Sequence, residues 1–114
     1  MELLPDVDPD SFFAVDMRVG RVEAVEAFPE ARKPAWKLTV DFGPEVGVRR
    51  TSAQVTNYAP EALVGSLVVG AMNLGARRIA GFRSEFLILG ALAPDSTVHL
   101  LEVPEGVERG WRIG

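Results

Sequence analysis

The clearest feature of the sequence is a strict alternation of apolar and polar residues over 36–42. Successive side chains of a β-strand point to opposite faces, so this alternation predicts a strand with one buried face. The glycine-bounded segment 43–47 predicts a turn after it. A second alternating segment, 48–55, predicts a strand that carries Arg50, Ser52 and Gln54 on one face and Thr51, Ala53 and Val55 on the other.

Other apolar segments predict further strands. Valines spaced by three surround Gly20, and we interpret this segment as a strand with a bulge near that glycine. The runs 67–74 and 86–92 are almost continuously apolar, which is typical of strands buried on both faces. Two late segments, 97–103 and 111–113, are shorter strand candidates.

Two short helices and one basic loop complete the pattern. Asp8 followed by Pro9 is a helix N-cap signal, which predicts a short helix over 9–15. A proline that can begin a helical turn and a glycine that can end it lie within 57–65. The segment 75–85, rich in arginine and glycine, is predicted to be a loop or short hairpin.

The order of these elements predicts an all-β protein. Five strands with a short helix between the third and fourth are typical of the OB-fold, a five-stranded Greek-key barrel. An SH3-like barrel is the nearest competitor, but it does not predict the helix within 57–65. We expect one domain over 1–114, made of an arm with a short helix (1–15), the barrel (16–92) and a C-terminal extension (93–114).

Composition excludes several kinds of chemistry. The 114 residues contain no cysteine and one histidine, which excludes disulfides, thiol chemistry and a multi-histidine metal site within one chain. The sequence contains no G-x-S-x-G motif, and Ser84 has no plausible base because His99, the only histidine, lies in a late strand candidate of its own. Phosphate-loop and dinucleotide motifs are missing from the sequence. We therefore predict a binding protein, not an enzyme, without a metal or cofactor.

The distribution of apolar residues also bears on location. The longest apolar runs fall well short of the ~20 residues that span a bilayer. The first residues show no basic segment followed by an apolar one, which a signal peptide would need. We expect a cytoplasmic protein without membrane insertion.

Charge is unevenly distributed along the chain. The net charge is −4, and four of the 16 acidic residues lie in 1–10, which leaves 12 acids against 12 bases in the rest. An OB-fold binds ligands over its second and third strands, between two loops that here carry many of the bases. Phosphate contacts would come from arginine and lysine, and polar side chains would contact bases or sugars. The resulting RNA-binding candidates are Arg32, Lys33, Lys37, Arg50, Ser52, Gln54, Asn73, Arg77, Arg78 and Arg83.

Aromatic residues near these bases are candidates for base stacking. Trp36 and Phe82 both lie beside the predicted basic loops. Trp36 also shares the apolar face of its strand, so a core position is an open alternative.

Three segments together resemble a known family. They are 16–22 (DMRVGRV), 28–43 (FPEARKPAWKLTVDFG) and 73–89, which contains RRIAGFRSE at 77–85. With TSAQ at 51–54, they resemble the tRNA-binding OB domain that occurs fused to methionyl-tRNA synthetase and related proteins. Among stand-alone members, the match is closest to a group of secretion chaperone-like proteins. The resemblance covers about 12–92 of the 114 residues.

The resemblance implies a homodimer and two activities. Segments outside the barrel would pack two copies together, and the family binds either tRNA by its shape or unfolded precursor proteins for export. The tRNA-binding relatives carry a Ser-Glu-Gly-Met motif, of which Ser84 and Glu85 match and Phe86 and Leu87 depart. Ser84 and Glu85 join the RNA-binding candidates on this ground.

The departure at Phe86 favours a peptide ligand, because an aromatic residue thickens the site and adds apolar surface. Together with the net acidity, it leads us to predict a homodimeric chaperone-like protein that binds unfolded precursor proteins or peptides. Its peptide-binding candidates are Trp36, Met72, Phe82 and Phe86. The alternative is structure-specific tRNA binding through the same face. A dimerising OB domain with another protein partner also stays open.

Overall fold

A computed structural model describes residues 2–114 of the chain. Within this range there are two short helices and nine strands, and residues 101–114 form neither apart from one bridge residue. The helices are α1 (Pro9–Phe13) and α2 (Pro60–Leu63). The strands are β1 (Met17–Ala27), β2 (Trp36–Asp41), β3 (Val48–Ala53), β4 (Leu67–Ala71), β5 (Arg77–Ile79), β6 (Phe82–Ser84), β7 (Leu87–Ile88), β8 (Gly90–Leu92) and β9 (Val98–Leu100).

The main sheet has five antiparallel strands in the order β3-β2-β1-β4-β7. The long strand β1 serves two neighbours: its first half pairs with β4 and its second half with β2. The sheet curls until β3 meets the chain that follows β6, where the Glu85 N–H donates to the Arg50 carbonyl at 2.8 Å. The result is a nearly closed barrel with α2 between β3 and β4, which confirms the predicted OB-fold.

The core fills the barrel with the side chains that alternation assigned to its inner face. Leu38, Val40 and Phe42 are fully buried, and Thr51 and Val55 of the next segment are buried as well. Phe42 and Phe86 meet edge to face with ring centroids 5.0 Å apart. This geometry is favourable for aromatic pairs and adds to the burial of both rings.

Glycine at position 20 is required by packing and not by the bulge. The register of β1 against β2 shifts between Val22 and Ala24, so the prediction of a bulge near Gly20 is wrong by a few residues. A Cβ at Gly20 would lie 2.5 Å from Val40 Cγ1 and 2.7 Å from Phe42 Cε1. The barrel interior therefore has no space for a side chain at this position.

The ends of the chain depart from the predicted elements. Asp8 caps α1 as predicted, with its Oδ1 accepting from the Asp10 N–H at 3.0 Å, but the helix ends at Phe13. The predicted strand 86–92 divides into β7 and β8, and β8 leaves the barrel to pair with β9 in a separate hairpin. The predicted strand 111–113 forms only an isolated bridge, between Arg112 and Arg18. None of the helices in residues 2–114 has the length and apolar character needed to cross a membrane.

Candidate nucleic-acid interface

Two cations and two aromatic rings form a cluster on the outer face of the barrel. The rings of Phe28 and Phe82 meet at a centroid distance of 5.6 Å. Lys37 Nζ lies 4.8 Å from the Phe28 ring centre and 5.2 Å from that of Phe82, and the Arg50 guanidinium lies 4.8 Å above Phe82. We call these four residues the cation–aromatic cluster. It joins β2, β3, β6 and the loop after β1 in one surface.

Strand alternation creates this cluster. Lys37 pairs with Ser52 and Thr39 with Arg50 across the antiparallel β2–β3 ladder, so Lys37 and Arg50 are near neighbours on its outer face. The Arg50 guanidinium also donates to Glu26 Oε2 at 3.3 Å. Both side chains of this ion pair are substantially exposed (42% and 60%), so it contributes little stability and a phosphate could replace the carboxylate.

The basic segment after β4 is a two-stranded hairpin. β5 and β6 pair with Arg78 directly opposite Arg83, and all three hairpin arginines are exposed. Like charges directly opposite one another destabilise a strand pair, and an anion between them would remove that cost. Ala80 and Gly81 both have positive φ, at 48° and 83°, as a two-residue turn that follows the twist of the strands requires.

Polar residues matched to the family motif are engaged within the fold. Ser84 is 8% exposed, and its hydroxyl shares a hydrogen bond of 2.8 Å with Thr51 Oγ1. The fold therefore engages this hydroxyl internally, and the role of Ser84 as an RNA contact stays a prediction. Glu85 Oε1 accepts from the Arg50 N–H at 3.0 Å. The Asn73 amide accepts from the Asp16 N–H at 2.7 Å and donates to the Ala14 carbonyl at 2.8 Å, which ties down the chain after α1.

Three of the four residues predicted to line a peptide cleft lie in the core or pack against it. Phe86 is 5% exposed and belongs to the core, so the prediction that it adds surface is wrong. The sequence pattern alone could have indicated this, because Phe86 begins an apolar run. Trp36 packs against the core and donates its Nε1–H to the Tyr58 carbonyl at 3.0 Å, and Met72 is half-buried against the same core. Of the four, Phe82 lies at the cation–aromatic cluster.

An apolar cleft lies elsewhere, where the barrel is left open. Beyond Arg50 and Thr51 the two closing segments, 52–55 and 87–90, line a cavity of about 700 Å³. We call it the seam cleft. Arg32, Lys33, Ser52 and Gln54 also line it, so it brings together four of the predicted RNA-binding residues. Sequence reasoning missed its apolar lining, which includes the exposed side chains of Ile79, Leu87 and Leu92.

Shifted pKa values occur at two places outside the cation–aromatic cluster and the seam cleft. A side-chain hydrogen bond from Arg18 to Asp16 at 2.6 Å lowers the pKa of Asp16 and raises the pKa of Arg18. The Arg18 guanidinium also donates to the Gly110 carbonyl at 3.0 Å, so this pair fastens the last turn to β1. Asp95 accepts a hydrogen bond from the Thr97 N–H at 3.0 Å, which lowers the pKa of its carboxyl.

Comparison with protein families decides the family. A family model described as "Putative tRNA binding domain" matches residues 17–112. The chain belongs to this tRNA-binding domain family. The matched range includes the barrel, the cation–aromatic cluster and both lining segments of the seam cleft.

Individual relatives fall into two groups. The chain is 42% identical over 113 residues to methionine–tRNA ligase 1 of Sorangium cellulosum, which covers 97% of the chain but 16% of that enzyme. The chain therefore spans about one sixth of the length of this relative, and the similarity concerns one segment of it. Crystal structures of the chaperone CsaA from Picrophilus torridus and Bacillus anthracis are each 39% identical, with TM-scores of 0.90 and 0.91. Each comparison covers 96% of this chain and 100% of the CsaA chain.

These similarities confirm the predicted resemblance to CsaA-like members of the tRNA-binding OB-domain family. Similarity to CsaA holds at the level of the complete barrel, since every residue of those two chains is covered.

Proposed function

We propose that this protein is a non-catalytic, cytoplasmic tRNA-binding module whose contact surface is the cation–aromatic cluster together with the β5–β6 hairpin. The observation that carries this proposal is the position of Lys37 and Arg50 above the rings of Phe28 and Phe82. It offers two cations beside the partly exposed ring of Phe82, while Phe28 is buried (5% exposed) and supports that ring from below. OB-folds bind nucleic acid at this place. The family membership of residues 17–112 supports the same function.

The net charge of −4 is compatible with this proposal. The four acids of residues 1–10 lie in an arm outside the barrel, and the rest of the chain is balanced. Because salt screens charges over about 10 Å, a local group of bases attracts phosphate whatever the charge of a distant arm. Arg77, Arg78 and Arg83 lie together on one hairpin, so their field is local in this sense.

A titration tests the proposal. Total tRNA is added to the intact protein at about 50 mM and about 200 mM salt, with tryptophan fluorescence as the signal. Several phosphate contacts predict that affinity falls by at least about tenfold between the two salts. Competition with duplex RNA and with a single strand of equal length tests whether shape is recognised. Arg77→Ala combined with Arg78→Ala should weaken binding, and a flat salt response would exclude the proposed surface.

A second candidate function is suggested by the seam cleft: a chaperone-like homodimer that holds unfolded precursor proteins or peptides. Ile79, Leu87 and Leu92 are 42%, 53% and 72% exposed, and exposed apolar groups of this kind mark protein-binding sites. The similarity of the whole chain to two CsaA chaperones supports this candidate. The net acidity also favours it, whereas Phe86, being buried, does not.

The dimer of this second candidate would use segments outside the barrel, within 1–15 and 93–114. These segments carry Leu3, Leu4, Phe12, Leu101 and Trp111, all large apolar residues that are exposed. Light scattering measures the mass directly. Suppression of the aggregation of an unfolded client, with native client as the control, tests the chaperone activity; a protein that neither slows aggregation nor binds precursor peptides would exclude it.

A further inference from the structure

The open half of the barrel seam exposes a strand edge. In the β2–β3 ladder the Phe42 N–H donates to the Gly47 carbonyl at 3.0 Å. This pair shows which residues of β3 point their main-chain N–H and C=O groups toward β2. Odd-numbered residues of β3 bond to β2, so the main-chain groups of Arg50, Ser52 and Gln54 face the seam. These even-numbered residues are the ones that could bond to a further strand.

Within the barrel, only Arg50 has short hydrogen bonds at both its main-chain N–H and its C=O on this side. Arg50 exchanges two hydrogen bonds with Glu85, one through the Glu85 main chain and one through its carboxylate. The Ser52 N–H reaches Ser84 Oγ only at 3.4 Å. Among residues 2–114, the N–H and C=O of Gln54 form no main-chain hydrogen bond. The Ser52 carbonyl likewise accepts only a long hydrogen bond, from Thr51 Oγ1 at 3.4 Å. The edge is therefore bonded only to side chains at Ser52 and lacks main-chain partners at Gln54, where the seam cleft begins.

The surroundings of this edge fit an extended chain. Leu87 and Leu92 provide exposed apolar surface across the cleft, and the cleft volume of about 700 Å³ lies in the usual range of ligand sites. Arg32 and Lys33 line the same cleft from the loop after β1. A strand laid beside β3 would place every second side chain on the apolar wall.

We propose that the seam cleft binds an extended peptide as an added strand along Ser52–Gln54, with alternate apolar side chains against Leu87 and Leu92 and an acidic residue beside Arg32 and Lys33. This inference rests on the second candidate function and gives it a mode of recognition. Main-chain hydrogen bonds are independent of sequence, so strand addition suits an unfolded client of no fixed sequence. Apolar alternation and one acidic end supply the remaining selectivity.

Phased N-methylation of a synthetic peptide tests strand addition. The probe is a fluorescent peptide of about eight residues in which leucine alternates with threonine and one end carries two aspartates, a length that spans about 26 Å when extended. One derivative is N-methylated at the odd positions and the other at the even positions. Added strands bond through alternate residues only, so we expect one derivative to bind at least about tenfold more weakly and the other to bind within about twofold of the parent.

Protein variants locate the binding site on the same peptide. Leu87→Glu should weaken binding at least about tenfold, because it introduces a charge on the apolar wall. Val64→Glu is the matched control, since Val64 is 48% exposed at the end of α2 and does not line the cleft. Arg32→Gln with Lys33→Gln should weaken the parent but leave unchanged a peptide whose aspartates are replaced by serine. Circular dichroism and the mass from light scattering are recorded for each variant.

The possible results separate strand addition from the chaperone function on which it rests. Parent binding with equal loss from both methylated derivatives, or with no loss from either, overturns strand addition but leaves the second candidate function standing. A parent peptide that does not bind, from a protein that also fails to hold unfolded clients, removes the function and the inference together. Conversion of a dimer to a monomer by Leu87→Glu would mean that a second copy covers the cleft, which also overturns the proposal.

Discussion

Arg50 and Glu85 are bound to each other twice across the barrel seam. The Glu85 N–H donates to the Arg50 carbonyl at 2.8 Å, and the Arg50 N–H donates to Glu85 Oε1 at 3.0 Å. The side chain of Arg50 is thereby left to project over Phe82. Glu85, which the family motif suggested as an RNA contact, thus binds the strand that carries Arg50, and Arg50 is a proposed phosphate contact.

Replacement of Glu85 should lower the stability of the fold more than it lowers tRNA affinity. We expect Glu85→Ala to lower the free energy of unfolding by about 1–2 kcal/mol, because the half-buried N–H of Arg50 loses its partner. Glu85→Gln keeps an acceptor oxygen and should lose less than half of that. Urea unfolding followed by circular dichroism measures both. Equal stabilities for the wild type and Glu85→Ala would mean that this hydrogen bond does not help to close the barrel.

The buried hydroxyl pair at the seam predicts a second stability effect. Thr51 is 1% exposed, and its Oγ1 bonds to the Phe86 carbonyl at 2.7 Å as well as to Ser84. Thr51→Val preserves the shape but removes the hydroxyl that bonds to the Phe86 carbonyl and to Ser84, at a cost of about 1–3 kcal/mol. Thr51→Ser keeps the hydroxyl and is the control. The urea midpoint should fall for valine with an unchanged slope; a midpoint that falls equally for serine would assign the effect to lost methyl packing.

The Asp16–Arg18 pair predicts a dependence of stability on pH. Because the hydrogen bond from Arg18 lowers the pKa of Asp16 in the folded state, the unfolded state binds more protons in acid. The contribution of the pair is therefore present at neutral pH and is lost as the pH falls through the folded-state pKa. Both side chains are partly exposed (22% and 37%), and solvent screening limits the contribution to about 1 kcal/mol or less.

Comparison with an uncharged variant isolates the contribution of the Asp16–Arg18 pair to the free energy of unfolding. The difference in unfolding free energy between the wild type and Asp16→Asn should shrink as the pH is lowered from about 6 to about 3. Asp95, whose pKa is also lowered, is present in both proteins, so its titration cancels in the difference. A difference that is constant over this range would contradict the assigned role of the ion pair.

Phe82 allows stacking to be separated from charge. Phe82→Leu keeps an apolar contact with Phe28 and removes the ring on which a base would stack. We expect tRNA affinity to fall by about fivefold or more, because stacking contributes about 1–3 kcal/mol per base, while the salt dependence stays the same. Trp36→Phe is the control: it alters an aromatic residue that packs on the core. Unchanged tRNA affinity for Phe82→Leu would mean that no base stacks on this ring.

Alternating segments, continuous apolar runs and the helix signal within 57–65 together predicted the barrel. Alternation over 36–42 correctly assigned Leu38 and Phe42 to the core and Lys37 to the outer face. Local patterns do not report which distant segments meet, so the cation–aromatic cluster and the Arg50–Glu85 bonds could not be read from the sequence. Phe86 illustrates the difference: family comparison made it a surface residue, whereas the space above Phe42 and Gly70 buries it.

The division of 86–92 has an equally specific cause. A Cβ at Gly90 would lie 2.7 Å from Val98 Cγ1 and 2.8 Å from the His99 carbonyl, so the glycine lets β9 approach and draw β8 away from the barrel. An apolar run by itself contains no sign of such a switch of partner. The seam cleft depends on this division, because Leu92 and Val98 both line it.

If tRNA phosphates bind at the cation–aromatic cluster, removing one of its charges must change the salt dependence of binding, and two paired variants measure that change. Arg50→Gln and Arg49→Gln remove the same charge from neighbouring residues of β3, but alternation places their side chains on opposite faces. Each phosphate contact contributes about −0.7 to −0.9 to the slope of log affinity against log salt. We expect Arg50→Gln to make the slope shallower by about one contact and Arg49→Gln to leave it unchanged. Equal slopes for the two variants would contradict it.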